Sequence, residues 1–208
     1  ERAAQLIGLI PLLSLAPSIL IMVTSFTRII VVLSLLRTAI GLQSAPPNTV
    51  MISLALFLTA FIMAPTLQAS YDGGIAPLMS GEMEFEPAFE AAAAPVHAFM
   101  LANVREKDVE LFLDMSGEEL PETAEDLALT VLIPAFMISE LRRAFEIGFL
   151  LFVPFIIIDM VVASVLMSMG MMMLPPVVIS LPFKLIFFVL VDGWHLVAGS
   201  LVRSFISG

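Results

Sequence analysis

Long stretches of this chain carry no charged residue. Ala3–Thr27 and Val50–Tyr71 contain no Asp, Glu, Lys or Arg, and an apolar pattern returns from Leu127 nearly to the C-terminus. A helix crosses the hydrocarbon core of a bilayer with about 20 apolar residues, so each run is long enough to span one. Only 13% of the 208 residues are charged and 60% are hydrophobic, whereas soluble domains average about 25% charged residues. The chain is therefore predicted to lie in lipid, or in a complex that covers its faces.

The acidic residues are concentrated in one interior segment. Asp72–Leu127 holds 14 acidic and 2 basic residues, whereas the rest of the chain holds 5 acidic and 7 basic ones. This pattern predicts an N-terminal apolar helical hairpin at 1–71, an acidic helical segment at 72–127 and a C-terminal apolar hairpin at 128–208. Because no basic tract or Arg–aromatic pattern is present, nucleic acid is not expected as a partner.

Glycine and proline predict where the helices begin and end. Their clustering in Arg37–Thr49 predicts a turn. Amphipathic helices are predicted at Pro87–Ala102 and Arg105–Met115, within a segment expected to be broken at Gly73, Gly74, Gly81, Pro87, Pro95, Gly117 and Pro121. Pro121 is also expected in the first turn of a new helix, whose positive N-terminal dipole suits the acidic side chains of Glu122, Glu125 and Asp126.

The C-terminal hairpin is predicted to turn at Gly170–Pro176. Pro134 and Pro154 should kink or break its first arm, and the second arm, Val177–Ile206, is interrupted by Pro182, Lys184 and Asp192. Hydropathy thus predicts four spans, with both termini and the acidic segment on one side. The positive-inside rule opposes this arrangement if the two turns face the cytoplasm, since they carry only Arg37 and Lys184. Either the orientation is inverted or the runs are not all lipid-facing spans.

Eight charged residues inside the apolar segments are candidate site residues, because ionisable groups are costly there and usually paired or functional. Four of them have i,i+3 or i,i+4 spacing and can neutralise one another on one helix: Glu140, Arg142, Arg143 and Glu146. The other four have no oppositely charged neighbour in sequence and must pair across helices or chains, or face water: Arg28, Asp159, Lys184 and Asp192. For the four residues of α-helical spacing, structural ion pairs are favoured over contact with a substrate. For the other four, local pairing is favoured over a proton relay through Asp159 and Asp192.

The sequence contains no recognisable catalytic or metal-binding pattern. Cysteine is absent and the only histidines, His97 and His195, are far apart. No HExxH, GxSxG, Walker A or GxGxxG motif is present. We therefore expect neither an enzyme nor a metal or cofactor site.

The stretch "MSMGMMMLPP", Met167–Pro176, has five methionines in seven residues. At about 100° per residue these side chains point around much of a helix, so they do not form one core-facing stripe. Leu174 precedes Pro175 and is biased away from helix, which predicts a helix end followed by a loop. Methionine is flexible and adapts to irregular partners. Adaptable core filler and a compliant seal both fit this pattern.

Longer stretches identify a family resemblance. The segments "SELRRAFEIGFLLFVPFIIIDMVVASVLMSMGMMMLPP", "ISLPFKLIFFVLVDGW" and "SFTRIIVVLSLLRTAIGLQSAPPN" closely resemble the FliP family of flagellar export gate proteins, and the likeness covers nearly the whole chain. "SFTR" and "MMMLPP" favour the flagellar branch, because relatives in virulence injectisomes commonly have a single proline after the methionines. A cleaved signal peptide, usual in such a family, fits the start at Glu1, as a trimmed chain also would.

The resemblance implies an all-α fold of two long kinked helical hairpins with an inserted acidic helical segment. Copies of the chain, five by resemblance, would form a ring-like pore complex that conducts unfolded flagellar export substrates. The expected partners are these copies, FliQ, FliR, FlhB, FlhA, the substrates and membrane lipid. The expected location is the bacterial inner membrane at the flagellar basal body, with the acidic segment and much of the assembly on the periplasmic side. That placement would explain the failed positive-inside test.

The resemblance also assigns residues. Met171, Met172 and Met173 match a methionine gasket at the pore axis, and we expect Met167 and Met169 to support it. Gly170 is expected to allow close loop approach and Pro175–Pro176 to fix the exit of the chain. All eight charged residues of the apolar segments are expected to make contacts between subunits. Two other functions stay open: the equivalent gate subunit of an injectisome, and a stand-alone ion or solute transporter, whose inverted repeats are not evident here.

Overall fold

The computed structural model describes residues 18–206, apart from 20, 118–120 and 122. Within these residues every regular element is helical, which confirms the predicted all-α class. Helix α1, Phe26–Ile40, is followed by a turn and by α2, Asn48–Ser70. The guanidinium of Arg37, in the last turn of α1, donates to the Asn48 side-chain oxygen at 2.6 Å. This contact joins the end of α1 to the beginning of α2.

Helix α2 continues into the acidic segment without the break predicted at Gly73 and Gly74. A π-helical turn, Tyr71–Ile75, leads into the short helix α3, Ala76–Ser80, so that Asn48–Ser80 forms 33 helical residues. The prediction was wrong because Gly74 serves close packing rather than a turn: a Cβ there would lie 2.3 Å from the Ala88 carbonyl oxygen. The helix ends instead at Gly81, whose left-handed φ is +75°.

Two helices follow close to the predicted positions. Helix α4 spans Phe85–Asn103 and α5 spans Glu106–Ser116, ending at the left-handed Gly117. Pro87 and Pro95 lie within α4 and do not break it. Pro87 is in the first turn, where the missing N–H has no helical partner to lose.

Helix α6, Leu129–Ser168, begins later than predicted. Pro121 is not in its first turn, and Glu125 and Asp126 lie in a separate 3₁₀ turn, Ala124–Asp126, while Glu122 lies outside the described residues. The cause is Leu127, which is extended and buried. Its carbonyl oxygen lies 2.8 Å from His97 Nε2, so its backbone is held out of a helix.

The 40 residues of α6 form one helix that passes through Pro134 and Pro154. A break at either proline is therefore wrong, and a kink stays a prediction. At 1.5 Å per residue the helix is about 60 Å long, roughly twice the thickness of a bilayer's hydrocarbon core. A loop leads to α7, Pro176–Leu190, and α8, Gly193–Ile206.

The four predicted spans can be compared with the structure only where it describes the chain, so the number four stays a prediction. Among the described residues two helices are long and apolar enough to cross a membrane, Asn48–Ser80 and Leu129–Ser168. Helices α7 and α8 could form a third span, bent by 62°. They separate at Asp192, which has a left-handed φ of +52°. Most of the run Ala3–Thr27 lies outside the described residues.

The chain forms two compact units. One contains Thr59–Leu141 and the described residues up to Thr27; the other contains Arg28–Leu58 and the described residues from Arg142 onward. The first has a core formed by Val23, Met100, Leu113, Leu127, Val131, Leu132 and Phe136. In the second, Phe155, Phe188 and Trp194 form successive ring contacts. The three segments at 1–71, 72–127 and 128–208 stay a prediction from composition.

Candidate functional site

The methionine loop, residues 169–175, begins where α6 is closed by backbone hydrogen bonds. The Met171 N–H donates to the Leu166 carbonyl at 3.0 Å, and the Gly170 N–H donates to the Met167 carbonyl at 3.1 Å. This pair of bonds is a Schellman motif, which requires a left-handed residue and favours glycine. Gly170 has a φ of +74°, and a Cβ there would meet no described atom within 4 Å. Within one chain Gly170 therefore serves the turn, and its expected role in loop approach stays a prediction.

Two prolines connect the loop to α7. Pro175 is extended, with φ −69° and ψ 114°, and occupies the N-cap position. Pro176 is the first helical residue, a position that proline suits because its φ is already set and no helical hydrogen bond is lost. The loop thus leaves one helix through a glycine and enters the next through a proline, so both ends have a defined backbone.

The methionine side chains of this region are exposed. Met167 is in the last turn of α6 and the other four lie in the loop, as the sequence predicted. Their exposed fraction is lowest at Met171, 42%, and highest at Met172 and Met173, 81% and 98%. Of the two uses that the sequence left open, core filler within this chain is therefore excluded. These thioethers are available to another molecule.

Below the loop, Asp159 of α6 and Lys184 of α7 form an ion pair. Lys184 Nζ lies 2.6 Å from Asp159 Oδ2, and only 4% of the lysine side chain is exposed. The Ser180 hydroxyl donates to the other carboxylate oxygen. A buried ammonium is tolerated when it is paired and hydrogen-bonded. Both charges thus find partners across helices of the same chain, one of the outcomes expected from sequence.

Arg28 of α1 is fully buried against the end of α8. Its Nη1 donates to the Ser204 carbonyl at 3.1 Å and to the Ser204 hydroxyl at 3.0 Å. The guanidinium carbon lies 3.6 Å from the centroid of the Phe205 ring. Helix C-termini leave carbonyls without helical partners and carry partial negative charge, so a cation is stabilised there. The arginine therefore holds the last turn of α8.

The charged stretch of α6 has a buried and an exposed side. Arg142 Nε lies 2.8 Å from Glu146 Oε1, the predicted i,i+4 pair, with more than half of each side chain exposed. Glu140 is fully buried and Arg143 is half-buried. Asp192 is exposed in the turn between α7 and α8. The sequence-predicted site residues are thus spread over α1, α6, α7, the methionine loop and the turn between α7 and α8.

A buried polar cluster was missed by the sequence reasoning. Asp108 is 5% exposed and accepts two bonds from the Arg105 guanidinium, at 2.9 and 2.7 Å. The Ser139 hydroxyl of α6 lies 2.5 Å from Asp108 Oδ2 and accepts the Arg105 N–H at 3.1 Å. The i,i+3 spacing of Arg105 and Asp108 is a local signal, but nothing in the sequence indicates Ser139. The cluster fixes the start of α5 against α6.

No catalytic arrangement accompanies these residues. Among the described residues no group of three or more His, Asp or Glu side chains could hold a metal ion. His97 bonds to a backbone carbonyl and His195 is exposed on α8. The described residues thus contain apolar helices, a loop of exposed methionines between Gly170 and Pro176, and a few charged side chains that are paired within the chain.

Comparison with known proteins gives consistent matches over nearly the whole chain. The model described as "FliP family" matches residues 9–201. A protein of Caulobacter vibrioides called "Flagellar biosynthetic protein FliP" is 68% identical over 208 residues, covering 100% of this chain and 78% of the relative. Proteins of the same name are 54% identical over 205 residues in Bacillus subtilis, covering 99% and 93%, and 52% identical over 201 residues in Rhizobium meliloti, covering 96% and 82%.

Proposed function

The chain belongs to the FliP family, and from this premise we propose that it is a pore-forming subunit of the flagellar type III protein export gate. It is not an enzyme. Its relatives are flagellar biosynthetic proteins in bacteria as different as Caulobacter and Bacillus. That likeness supports the flagellar branch over the injectisome branch.

The observation that carries the gate function is the exposure of the methionine loop. Met173 is 98% exposed at a loop whose two ends are fixed by Gly170 and Pro176. A large apolar side chain left in water costs about 1.5–3 kcal/mol relative to burial, which favours contact with other molecules. When several copies surround an axis, Met171, Met172 and Met173 meet there as a gasket, with Met167 and Met169 behind them.

Methionine suits a seal better than leucine. Its unbranched chain has three rotatable bonds and a polarisable sulfur, so it conforms to irregular partners. A gasket must close against other gaskets when empty and around unfolded polypeptides of any sequence during export. The rigid ends of the loop keep the thioethers in place while the side chains themselves adapt.

The proposed assembly contains five copies of the chain together with FliQ and FliR, and FlhB and FlhA act beside it. The eight charged residues of the apolar segments are proposed to contribute to subunit contacts. Arg142 and Glu146 each expose more than half of their side chains. Asp159 and Lys184 already satisfy each other within the chain, so their contribution is to hold the helices that present the interface.

The proposed location is the bacterial inner membrane at the flagellar basal body. Two helices are long and apolar enough to span it. Helix α6 is about 60 Å long, so a large part of it must extend beyond a hydrocarbon core of roughly 30 Å. The acidic segment and this extension are placed on the periplasmic side. Membrane lipid then covers only part of the apolar surface, and neighbouring subunits cover the rest.

The seal is tested by replacing Met171, Met172 and Met173 with alanine in the assembled gate. We expect the closed gate to leak ions, because three thioethers per subunit are lost at the constriction, while export continues or weakens only slightly. Ion flux is measured in liposomes that contain the complex. Met115→Ala/Met160→Ala is the matched control, since both methionines are exposed but lie outside the loop. An unchanged flux in correctly assembled triple variants contradicts the seal.

A further inference from the structure

Helix α4 begins with two exposed phenylalanines that face the same way. Phe85 and Phe89 are 71% and 59% exposed. Their ring centroids are 6.3 Å apart and the planes are inclined by 22°, so the rings are stacked. Helix α4 is not among the helices apolar enough to cross a membrane. These rings, the aromatic shelf, therefore form a preformed apolar surface on the acidic segment.

The shelf continues a face that is buried further along the helix. At about 100° per residue, Val96 and Met100 lie within about 60° of Phe85 around the helix axis. Met100 belongs to the core of its unit and Val96 packs against that core. The two phenylalanines at the N-terminal end of this face stay exposed, although their side chains are larger than those of Val96 and Met100. An apolar stripe that runs out of a core and stays exposed is typical of an interaction surface.

The shelf is held rigidly. On the neighbouring side of α4, Ala88 and Ala92 pack against Gly74 so closely that a Cβ on that glycine would lie 2.3 Å from the Ala88 carbonyl oxygen. Ala88 is 1% exposed. This close backbone contact between α4 and the π-helical turn opposes rotation of α4 about its axis. Phe85 and Phe89 therefore keep their outward direction when no partner is bound. A preorganised surface loses less entropy on binding.

Carboxylates border the shelf on its other side. Glu86 and Glu90 lie about 100° and 140° from Phe85 around the axis, and Glu82 and Glu84 immediately precede the helix; all four are exposed. From Asp72 to Val104 the chain contains five acidic residues and neither Lys nor Arg. The surface is therefore apolar in the middle and negative along one edge.

This combination of charges selects the occupant. A second copy would bring the same carboxylates against these, and like charges placed together oppose association. Phospholipid headgroups of an anionic leaflet attract basic segments, not acidic ones. We infer that the aromatic shelf docks a cationic amphipathic helix from a different protein, with its apolar face on Phe85 and Phe89 and its Lys or Arg residues against Glu86 and Glu90. This surface lies outside the methionine loop and adds a partner site to the proposed function.

The test uses the purified full chain in neutral detergent and a synthetic probe. The probe is a fluorescent amphipathic helix of about 18 residues built from Leu and Lys, and its counterpart carries Glu in place of Lys. Anisotropy is measured with and without the protein, and binding to empty micelles is subtracted. We expect the Leu/Lys helix to bind at least about tenfold more tightly than the Leu/Glu helix, with an affinity that falls as salt increases.

Two variants separate the apolar and charged contributions. Phe85→Ser/Phe89→Ser is expected to weaken probe binding at least about tenfold, since the central apolar anchors are removed. Glu86→Gln/Glu90→Gln should weaken it less and reduce the salt dependence. Glu110→Gln/Asp114→Asn is the control, because it removes two exposed carboxylates at the same i,i+4 spacing from α5. Circular dichroism checks that each variant keeps its helical content.

Several outcomes overturn the inference. Equal binding of the two probes shows apolar adhesion without charge selection. If Glu110→Gln/Asp114→Asn weakens probe binding as much as Glu86→Gln/Glu90→Gln does, the probe responds to the net charge of the chain and not to the shelf. A smaller oligomer in the Phe85→Ser/Phe89→Ser variant assigns the shelf to a second copy, and binding of that surface to anionic vesicles assigns it to lipid. Because the readout is probe binding, failure here leaves the seal untouched.

Discussion

At the scale of single residues, two ion pairs with similar geometry have different energetic consequences. Lys184 and Asp159 lie 2.6 Å apart with 4% and 28% of their side chains exposed, whereas Arg142 and Glu146 lie 2.8 Å apart with 57% and 58% exposed. Removing one partner from a buried pair leaves an uncompensated charge and costs about 3–5 kcal/mol. An exposed i,i+4 helix pair contributes only about 0.3–0.5 kcal/mol. Environment, not distance, decides which pair matters.

The residue-scale prediction contrasts these two pairs. Lys184→Met is expected to lower the free energy of unfolding by about 1–3 kcal/mol. Asp159 then loses its charged partner, but its side chain is 28% exposed and keeps the hydrogen bond from Ser180. Arg142→Met should lower the free energy of unfolding by no more than about 0.5 kcal/mol. Denaturant unfolding of the detergent-solubilised chain measures both values. Adding Asp159→Asn to Lys184→Met should restore part of the loss, and equal costs for the two single variants would show that the Lys184 pair is not structurally buried.

At the scale of helices, two neighbouring glycines in α2's continuation have different roles. A Cβ on Gly73 would lie 3.5 Å from the nearest atom, the Ala91 carbonyl oxygen, which is an ordinary contact. A Cβ on Gly74 would lie 2.3 Å from the Ala88 carbonyl oxygen and 2.6 Å from the Ala92 nitrogen. Those atoms belong to the α4 backbone and cannot rotate away. The π-helical turn at Tyr71–Ile75 thus places both glycines near α4, but only Gly74 is too close to admit a side chain.

The element-scale prediction follows from this difference. Gly74→Ala is expected to destabilise the chain by at least about 1–3 kcal/mol, because α4 must move to admit the methyl group. Gly73→Ala is the matched control and should be neutral or stabilising by up to about 1 kcal/mol, since alanine favours helix over glycine. Thermal unfolding followed by circular dichroism compares the two. A similar loss in both variants would mean that the π-helical turn does not pack against α4 as described.

At the scale of the whole molecule, the long apolar helices bury little of their surface within the chain. In the most apolar windows of Asn48–Ser80 and Leu129–Ser168, only 28% and 11% of the residues are buried. Many large apolar side chains of α6 and α7 are exposed, Phe145, Phe149, Ile186 and Leu190 among them. Patches of this extent indicate contact with lipid or with other chains. The isolated chain therefore depends on lipid or on other chains to cover these apolar faces.

The prediction at this scale is the mass of the purified particle. In mild detergent the chain is expected to form a homo-oligomer of five copies. Neighbouring copies would cover the apolar surface that extends beyond the hydrocarbon core and that lipid therefore cannot cover. Native mass spectrometry measures the copy number directly. The Met171→Ala/Met172→Ala/Met173→Ala variant should keep the same mass, since the loop tips contribute little interface area. A uniform monomer would contradict the ring.

Much of the helical organisation could be predicted because its signals are local. Uncharged apolar runs predicted long helices, and Gly170 and Pro176 predicted the loop that separates α6 from α7. The positions of α4 and α5 followed from amphipathic spacing bounded by glycine. Helix propensity, capping and turn geometry depend on a few adjacent residues, so they can be read without knowing what lies across the fold.

Other features depend on residues that the chain brings together from a distance. Helix α6 starts late because Leu127 is buried and its carbonyl is bonded to His97. The helix continues through Gly74 because Ala88 and Ala92 occupy the space that a side chain there would take. Lys184 finds Asp159, and Asp108 finds Ser139, on another helix. The sequence by itself determined the helices, the apolar surface and the methionine loop, since these depend on residue type and spacing. Only the tertiary structure decided which charges are satisfied and which methionines and phenylalanines stay exposed, because burial and pairing are properties of neighbours in space.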